Sequence, residues 1–258
     1  MRLPVIVAAA LMPVVAWFSQ RGAFGPDNGS LSDRYPTLLV AAGYAFSIWG
    51  AIFLLDLSFA LWQARSRYRD APALVRVRPA IAAGFTLTAL WMPVFSQQWF
   101  WPALAIIWLA LACLAWAAVR LARDVDPLPA QAWWAKLPVS LHAGWLSLAA
   151  FLNTAQVIVA YRLLPTERML GWSLALLAAM ALLLSALNAR MHGNAGYVLA
   201  ALWGLVGVYV AQSASARPGA TVVAWLALAL AAALLVQTAW LRARRRRKLF
   251  SGHLTPGD

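Results

Sequence analysis

The chain has 258 residues, 63% of them hydrophobic and 11% charged, with a mean hydropathy of +0.71; soluble domains run nearer half apolar and a quarter charged. No water-soluble fold of this length hides so much apolar surface, so a bilayer is the solvent that fits. The formal charge of +13 does not point to nucleic acid, because Lys and Arg stand in short clusters between apolar runs rather than along a soluble face.

A membrane-spanning helix needs about 20 mostly apolar residues. The first such run is Leu3 to Phe18, which follows Arg2. Trp17 and Phe18 stand where a signal peptide would place small cleavage-site residues, so the run is expected to be a retained helix. Further spans are expected over Leu38 to Gln63, Pro79 to Ser96, Phe100 to Leu121 and Pro138 to Tyr161. The last three cover Met169 to Asn188, Ala195 to Ser213 and Gly219 to Leu241. The fold class is therefore all-α, a polytopic membrane bundle of about eight helices. Ser19 to Thr37, rich in Gly and Pro, is the longest connection, and 249–258 reads as a disordered tail.

Charge orients the bundle. One set of alternate loops holds Arg2; Arg65, Arg67, Arg69, Arg76 and Arg78; Arg120, Arg123 and Lys136; Arg190; and Arg242, Arg244, Arg245, Arg246, Arg247 and Lys248, sixteen in all. The other set holds Arg21, Arg34, Arg162, Arg168 and Arg217, which is five. By the positive-inside rule both termini are expected in the cytoplasm, in a bacterial inner membrane, with the basic clusters against anionic lipid.

Soluble-enzyme chemistry finds little support. Cys113 is the single cysteine, and His142, His192 and His253 show no ligand spacing. No phosphate-binding glycine loop or nucleophile elbow occurs. The spans lack clustered His and acidic residues, so no catalytic residue and no metal ligand is assigned.

Fifteen tryptophans are the unusual feature. Trp99, Trp101, Trp133, Trp134 and Trp240 lie near span ends and suit an interfacial belt. Trp49, Trp91, Trp108, Trp145 and Trp203 lie deeper, where indoles either pack between helices or wall a pocket for a flat apolar ligand. Asp56 is the one acid inside a span, at a cost of about 2.5–3.5 kcal/mol on insertion scales. It is expected to face the interior, either as a neutral structural acid or as a proton- or ligand-coupled group. His142, Asn153, Gln97 and Gln98 are further candidates for an internal polar site. At helical spacing Phe46, Trp49 and Phe53 share one face, a wall of a cavity or of the core.

Three segments resemble the tryptophan-rich sensory protein family, also called the translocator protein or peripheral benzodiazepine receptor family. They are Tyr44-Ala-Phe46-Ser-Ile-Trp49-Gly-Ala-Ile-Phe53, Ala89-Leu-Trp91-Met-Pro93-Val-Phe95, and Trp145, Ala149 and Asn153 at steps of four. Their order and helix numbers agree with the family over about residues 1–161. Thr88 stands where the family has Asn, its fifth-helix proline is displaced to Pro138, and Arg162 follows Tyr161 with no cholesterol-recognition spacing. The family has five helices, so the resemblance divides the chain into a five-helix core (1–161), three additional helices (162–248) and a cytoplasmic tail (249–258).

The resemblance implies a pocket for a tetrapyrrole, a sterol or a similar flat molecule, with Trp49 and Trp145 as pocket tryptophans and Asn153 as the fifth-helix asparagine. Together with the interior polar residues, the expected ligand-binding set is Tyr44, Phe46, Trp49, Phe53, Asp56, Trp91, His142, Trp145 and Asn153. The leading expectation is a membrane sensor or regulator with a small apolar ligand, a tetrapyrrole being the cofactor-like candidate. The alternative is a transporter using Asp56 as its coupling group.

Overall fold

The computed structural model describes residues 2–251, with side-chain surroundings through residue 245. The described residues form α1 (Arg2–Gln20), α2 (Asn28–Arg34), α3 (Ile48–Gln63), α4 (Pro72–Ser96), α5 (Phe100–Ala122), α6 (Leu137–Ala160), α7 (Leu170–Arg190), α8 (Ala195–Ser213) and α9 (Ala220–Ser251). All but the short α2 are long and apolar enough to cross a membrane, α3 when counted with the 3₁₀ turn Gly43–Ser47 that leads into it, giving eight candidate spans. The all-α, eight-span expectation holds.

The boundaries depart from expectation where polar side chains take over backbone partners. The second span was expected from Leu38, but helix begins only with a 3₁₀ turn at Gly43–Ser47 leading into α3. The preceding stretch is tied to α8 instead. Gln212 Nε2 donates to Thr37 O (3.3 Å) and Val40 O (3.0 Å), and Ala42 N–H donates to Gly207 O (2.9 Å). Those carbonyls and that amide are therefore not available to a helix ladder.

α4 begins at Pro72 rather than Pro79, with the proline at the first helical positions, where its missing N–H costs nothing. Arginines in the first two turns hide this start from a hydropathy reading. Arg78 is nevertheless buried, and it donates to Gln63 Oε1 (2.8 Å), Arg69 O (2.7 Å), Tyr68 O (2.8 Å) and Gln63 O (3.2 Å). One guanidinium thus caps the C-terminus of α3 and locks the turn into α4. α9 runs past its expected end at Leu241 as far as Ser251, because Arg and Lys are good helix formers. Of the expected tail, 252–258 lies outside the described residues.

α6 is the hub, the most thoroughly buried of the spans. It packs against α5 on one side and α8 on the other, with α3 and α7 completing its surroundings. α1 lies across α3 and α4, while α8, α9 and α7 form the other flank. The α6–α8 approach depends on Gly144, where a Cβ would stand 2.3 Å from Tyr197 O. That contact is backbone and does not yield, so glycine is required there.

Candidate functional site

α3, α4 and α6 each bring one tryptophan to a common point. Trp49 stacks on Trp91 (centroids 6.3 Å, 30°) and meets Trp145 edge to face (6.0 Å, 85°). Phe53, one turn beyond Trp49, stacks on its ring (5.4 Å), and Phe46 meets Trp145 edge to face (6.2 Å). Such offset and T-shaped contacts satisfy the ring quadrupoles. All three indoles are buried, so they face one another and not the periphery.

Beneath the rings lies a polar chain. Asp56 Oδ2 and His142 Nδ1 are 2.7 Å apart, both side chains fully buried, and His142 Nε2 lies 3.3 Å from Thr88 Oγ1. Thr88 spends its only hydroxyl proton on Gly84 O (2.9 Å), so Nε2 must be the donor to Thr88. A single further proton then lies between Nδ1 and Asp56. The pair is neutral as a unit whichever atom holds that proton. His142 also stacks on Phe85 (5.8 Å, 14°) and presents its edge to Trp49 (5.8 Å). The sequence offers Asp56 and His142 only as separate candidates; the fold joins them.

Two indoles differ in their hydrogen bonding from the third. Trp91 Nε1 donates to Asn153 Oδ1 (3.0 Å), and Asn153 Nδ2 donates to Ala149 O (3.2 Å). Trp49 Nε1 and Trp145 Nε1 are buried without a partner, as are Asn28 Oδ1 and Asp56 Oδ1. Buried polar groups are ordinarily paired, so these four are notable, although Trp62, Tyr68, Ser173, Asn188 and Gln212 carry unpaired buried atoms elsewhere in the bundle.

The space itself has two parts. Between the rings, Asn153 and Gln156 a gap of only about 20 Å³ remains, room for about one water. On the other side of Trp49 and Phe46 an open groove of about 460 Å³ runs between α1 and α3, walled by Pro13, Trp17, Phe53 and Met92. Ligand sites typically measure about 300–1,000 Å³, so the groove has ligand dimensions and the inner gap does not. Asn28 of α2 borders both spaces.

α2 is the element that sequence reasoning missed. Seven residues long and polar, it closes one end of the inner gap with Asn28 and Ser32, and Gln156 Nε2 donates to Ser32 Oγ (3.0 Å). Its signal was Asp27, an N-cap accepting from Gly29 N (2.9 Å) and Ser30 N (3.1 Å). The Ser30 hydroxyl, followed by these amides, holds the Asp27 carboxyl below its ordinary range.

Of the nine residues expected to bind ligand, eight gather here. Phe46, Trp49 and Phe53 border the groove; Trp91, Trp145 and Asn153 border the gap; Asp56 and His142 lie beneath. Tyr44 does not join them. It is 44% exposed and packs against Trp203 of α8 (5.5 Å), because the 3₁₀ turn rotates it away from Phe46. Gln97 and Gln98 also lie elsewhere: Gln98 closes the end of α4 and accepts from the Tyr35 hydroxyl (2.9 Å). The five tryptophans read as an interfacial belt are all exposed.

Eight apolar spans enclosing a tryptophan cluster define a multi-pass membrane protein with an aromatic interior. Within that class the chain belongs to the TSPO-like protein family, whose model matches residues 2–240. The match continues through α7, α8 and nearly all the membrane-spanning part of α9, beyond the residues in which motifs are legible by eye. Comparison with curated proteins and with solved structures gives no match.

Proposed function

We propose that the chain is a membrane ligand-binding protein, a sensor or regulator, whose α1–α3 groove takes a flat apolar molecule. One observation carries the reading: an open groove of ligand dimensions is walled by the aromatic side chains of Trp17, Phe46, Trp49 and Phe53. A flat ring laid against these aromatic walls gains stacking and apolar contact. The tetrapyrroles implied by the family resemblance, and sterols, belong to this class. His142 is held at both ring nitrogens, so the groove fits the face of a tetrapyrrole and supplies no imidazole ligand to a central metal. In this reading Tyr44 is not a ligand residue.

Titrating the purified protein with protoporphyrin IX, followed by the porphyrin absorption and by tryptophan quenching, tests the reading. Trp49→Leu is expected to weaken binding about tenfold, the equivalent of one good aromatic contact. Equal affinity in both proteins would overturn it.

A transport reading is favoured by one feature, the edge contact between His142 and Trp49 at 5.8 Å, which sets the shared proton beside the ligand wall. It predicts that Asp56→Asn removes any pH dependence of binding between about pH 5 and 8. Identical profiles in wild type and variant would eliminate the coupling role.

The sixteen-to-five basic asymmetry supports a bacterial inner-membrane protein with both termini cytoplasmic. Reporter fusions after Lys248 and within 65–78 are expected to read cytoplasm, and a fusion near Asn28 the opposite side. A tail outside the cytoplasm would refute this orientation.

A further inference from the structure

At the end of the bundle away from α2, where α4 begins and α5 and α7 end, a second cleft opens, with a volume of about 530 Å³. Arg76 of α4, Arg120 of α5, Arg123 just beyond α5 and Arg190 at the end of α7 line it. The family resemblance says nothing of this place, and the aromatic site does not touch it.

Its chemistry is that of an anion site. Among the described residues the one ion pair is Asp56–His142, so none of these arginines has a carboxylate partner. The side chains of Arg76, Arg120 and Arg190 donate no hydrogen bond to a described protein acceptor, whereas Arg123 Nε donates to Arg190 O (2.9 Å). That bond ties the ends of α5 and α7 together and leaves the terminal nitrogens of Arg123 to the cleft. Asp124 lines the cleft as well, but its Oδ2 accepts from Gln131 Nε2 (2.7 Å) and its Oδ1 from Asp126 N (3.4 Å). The acid is held by the loop and forms no ion pair with the guanidinium groups, so the cleft keeps an excess of positive charge. Four like charges around one hollow repel one another unless an anion joins them.

The cleft is also amphipathic. Trp116, one turn before Arg120, is 40% exposed and carries the Arg120 guanidinium over its ring at 5.4 Å. An indole beneath a guanidinium is the arrangement found at headgroup depth, where the apolar side faces acyl chain and the cation faces phosphate. α5 and α7 touch only sparsely, with α6 packed against both, so a thin seam separates them beside the cleft. The neighbouring field has the same sign: the His192 imidazole is pushed down by burial and then by Arg245, Arg123 and Lys136.

We propose that this cleft is a specific site for a phosphoryl oxyanion, seated by Arg76, Arg120, Arg123 and Arg190, and supplied by the headgroup of an anionic phospholipid whose chains follow the α5–α7 seam past Trp116. The planar fork of arginine takes phosphate oxygens in pairs, which lysine does not. A diffuse attraction to anionic membranes would need only charge, whereas a built site needs these residues.

Native mass spectrometry of the full chain, with defined phosphatidylglycerol, cardiolipin or phosphatidylcholine added, reads lipid retention directly. Wild type is expected to hold one phosphatidylglycerol or cardiolipin through delipidation and to release phosphatidylcholine. Arg76→Gln with Arg120→Gln is expected to lower retention roughly thirty-fold, while Arg217→Gln at the other end changes nothing. Arg76→Lys with Arg120→Lys keeps the charge and is expected to lose most of the same retention; full retention would reduce the site to diffuse charge and overturn it. Inorganic phosphate at millimolar concentration separates the sources. Failure to displace the lipid supports a lipid site, whereas displacement together with arginine-dependent phosphate binding would assign the cleft to a soluble anion and overturn the lipid source. Equal retention of anionic and zwitterionic lipid would overturn the proposal altogether. Each variant's melting temperature without lipid confirms that it folds.

Discussion

Near its start α4 carries Arg76 into a cleft of exposed guanidinium groups; about 22 Å further along its axis, Trp91 sits among desolvated rings. The same helix thus serves two hollows built in opposite ways. In the aromatic site the groups are buried and held largely by one another, indole on indole, carboxyl on imidazole, amide on carbonyl, with the Trp49 and Trp145 N–H groups left unpaired. In the basic cleft the charges stay at the surface, where they lie uncompensated because solvent screens them. The first arrangement makes binding groups part of the core, so altering them costs stability. The second leaves them nearly free of structural duty, so altering them costs chiefly whatever they hold.

The largest expected effect tests that contrast directly. Asp56→Leu strands His142, whose side chain is fully buried, without its partner at 2.7 Å. Removing one member of a buried pair typically costs about 3–5 kcal/mol, and a large drop in thermal stability in detergent is expected. Asp56→Asn keeps an oxygen or an amide toward Nδ1 and is expected to lose less. By contrast, Arg76→Gln at the exposed cleft is expected to stay within about 0.5 kcal/mol of wild type. Comparable losses at the two sites would break the comparison.

A smaller effect sharpens it within the aromatic site. Trp91→Phe keeps a ring against Trp49 and Phe95 but removes the donor to Asn153 Oδ1 at 3.0 Å. Leaving a buried acceptor unpaired costs about 1–3 kcal/mol. Trp49→Phe removes a donor that already lacks a partner, so its loss is expected to be the smaller of the two by about the value of one hydrogen bond. Unfolding measurements on both variants decide, and the reverse order would mean that Trp49 Nε1 is satisfied in the folded protein.

What the sequence disclosed, and what it withheld, follows the same division. The spans were legible because about 20 apolar residues in a row have few other uses. Trp49, Trp91 and Trp145 were legible because each sits in a motif within one helix. The Asp56–His142 pair was not, since its members are 86 residues apart and only the docking of α3 on α6 joins them. Arg78 read as one more loop cation, yet it is buried on carbonyls that a turn of the backbone presents to it. The near-filling of the inner gap depends on ring orientation, which spacing along a helix does not encode. α2 escaped notice because a seven-residue polar helix carries no hydropathy signal; only Asp27 before Asn-Gly-Ser betrays it.

That cap gives the smallest effect and the finest test of how the aromatic site is closed. α2 holds Asn28 and Ser32 over the inner gap, and its N-terminus is fixed by the Asp27 carboxylate accepting from Gly29 N and Ser30 N. The Ser30 hydroxyl does most to keep that carboxyl below its ordinary range. A carboxyl whose folded pKa is depressed stabilises the fold above its unfolded pKa and loses that contribution as pH falls through the folded one. The cap is therefore expected to be intact at neutral pH and to loosen only below the usual carboxylate range, near pH 4. Protection of the Gly29 and Ser30 amides, relative to free peptide at the same pH, is expected to fall there, ahead of amides in α6, because the protonated oxygen is a poorer acceptor for both N–H groups. Asp27→Asn keeps an acceptor without the charge, so its protection is expected to be slightly lower at pH 7 and unchanged on acidification. Should wild type and variant respond alike to acid, α2 is held by its Ser32–Gln156 contact rather than by its cap, and closure of the aromatic site is fixed from α6.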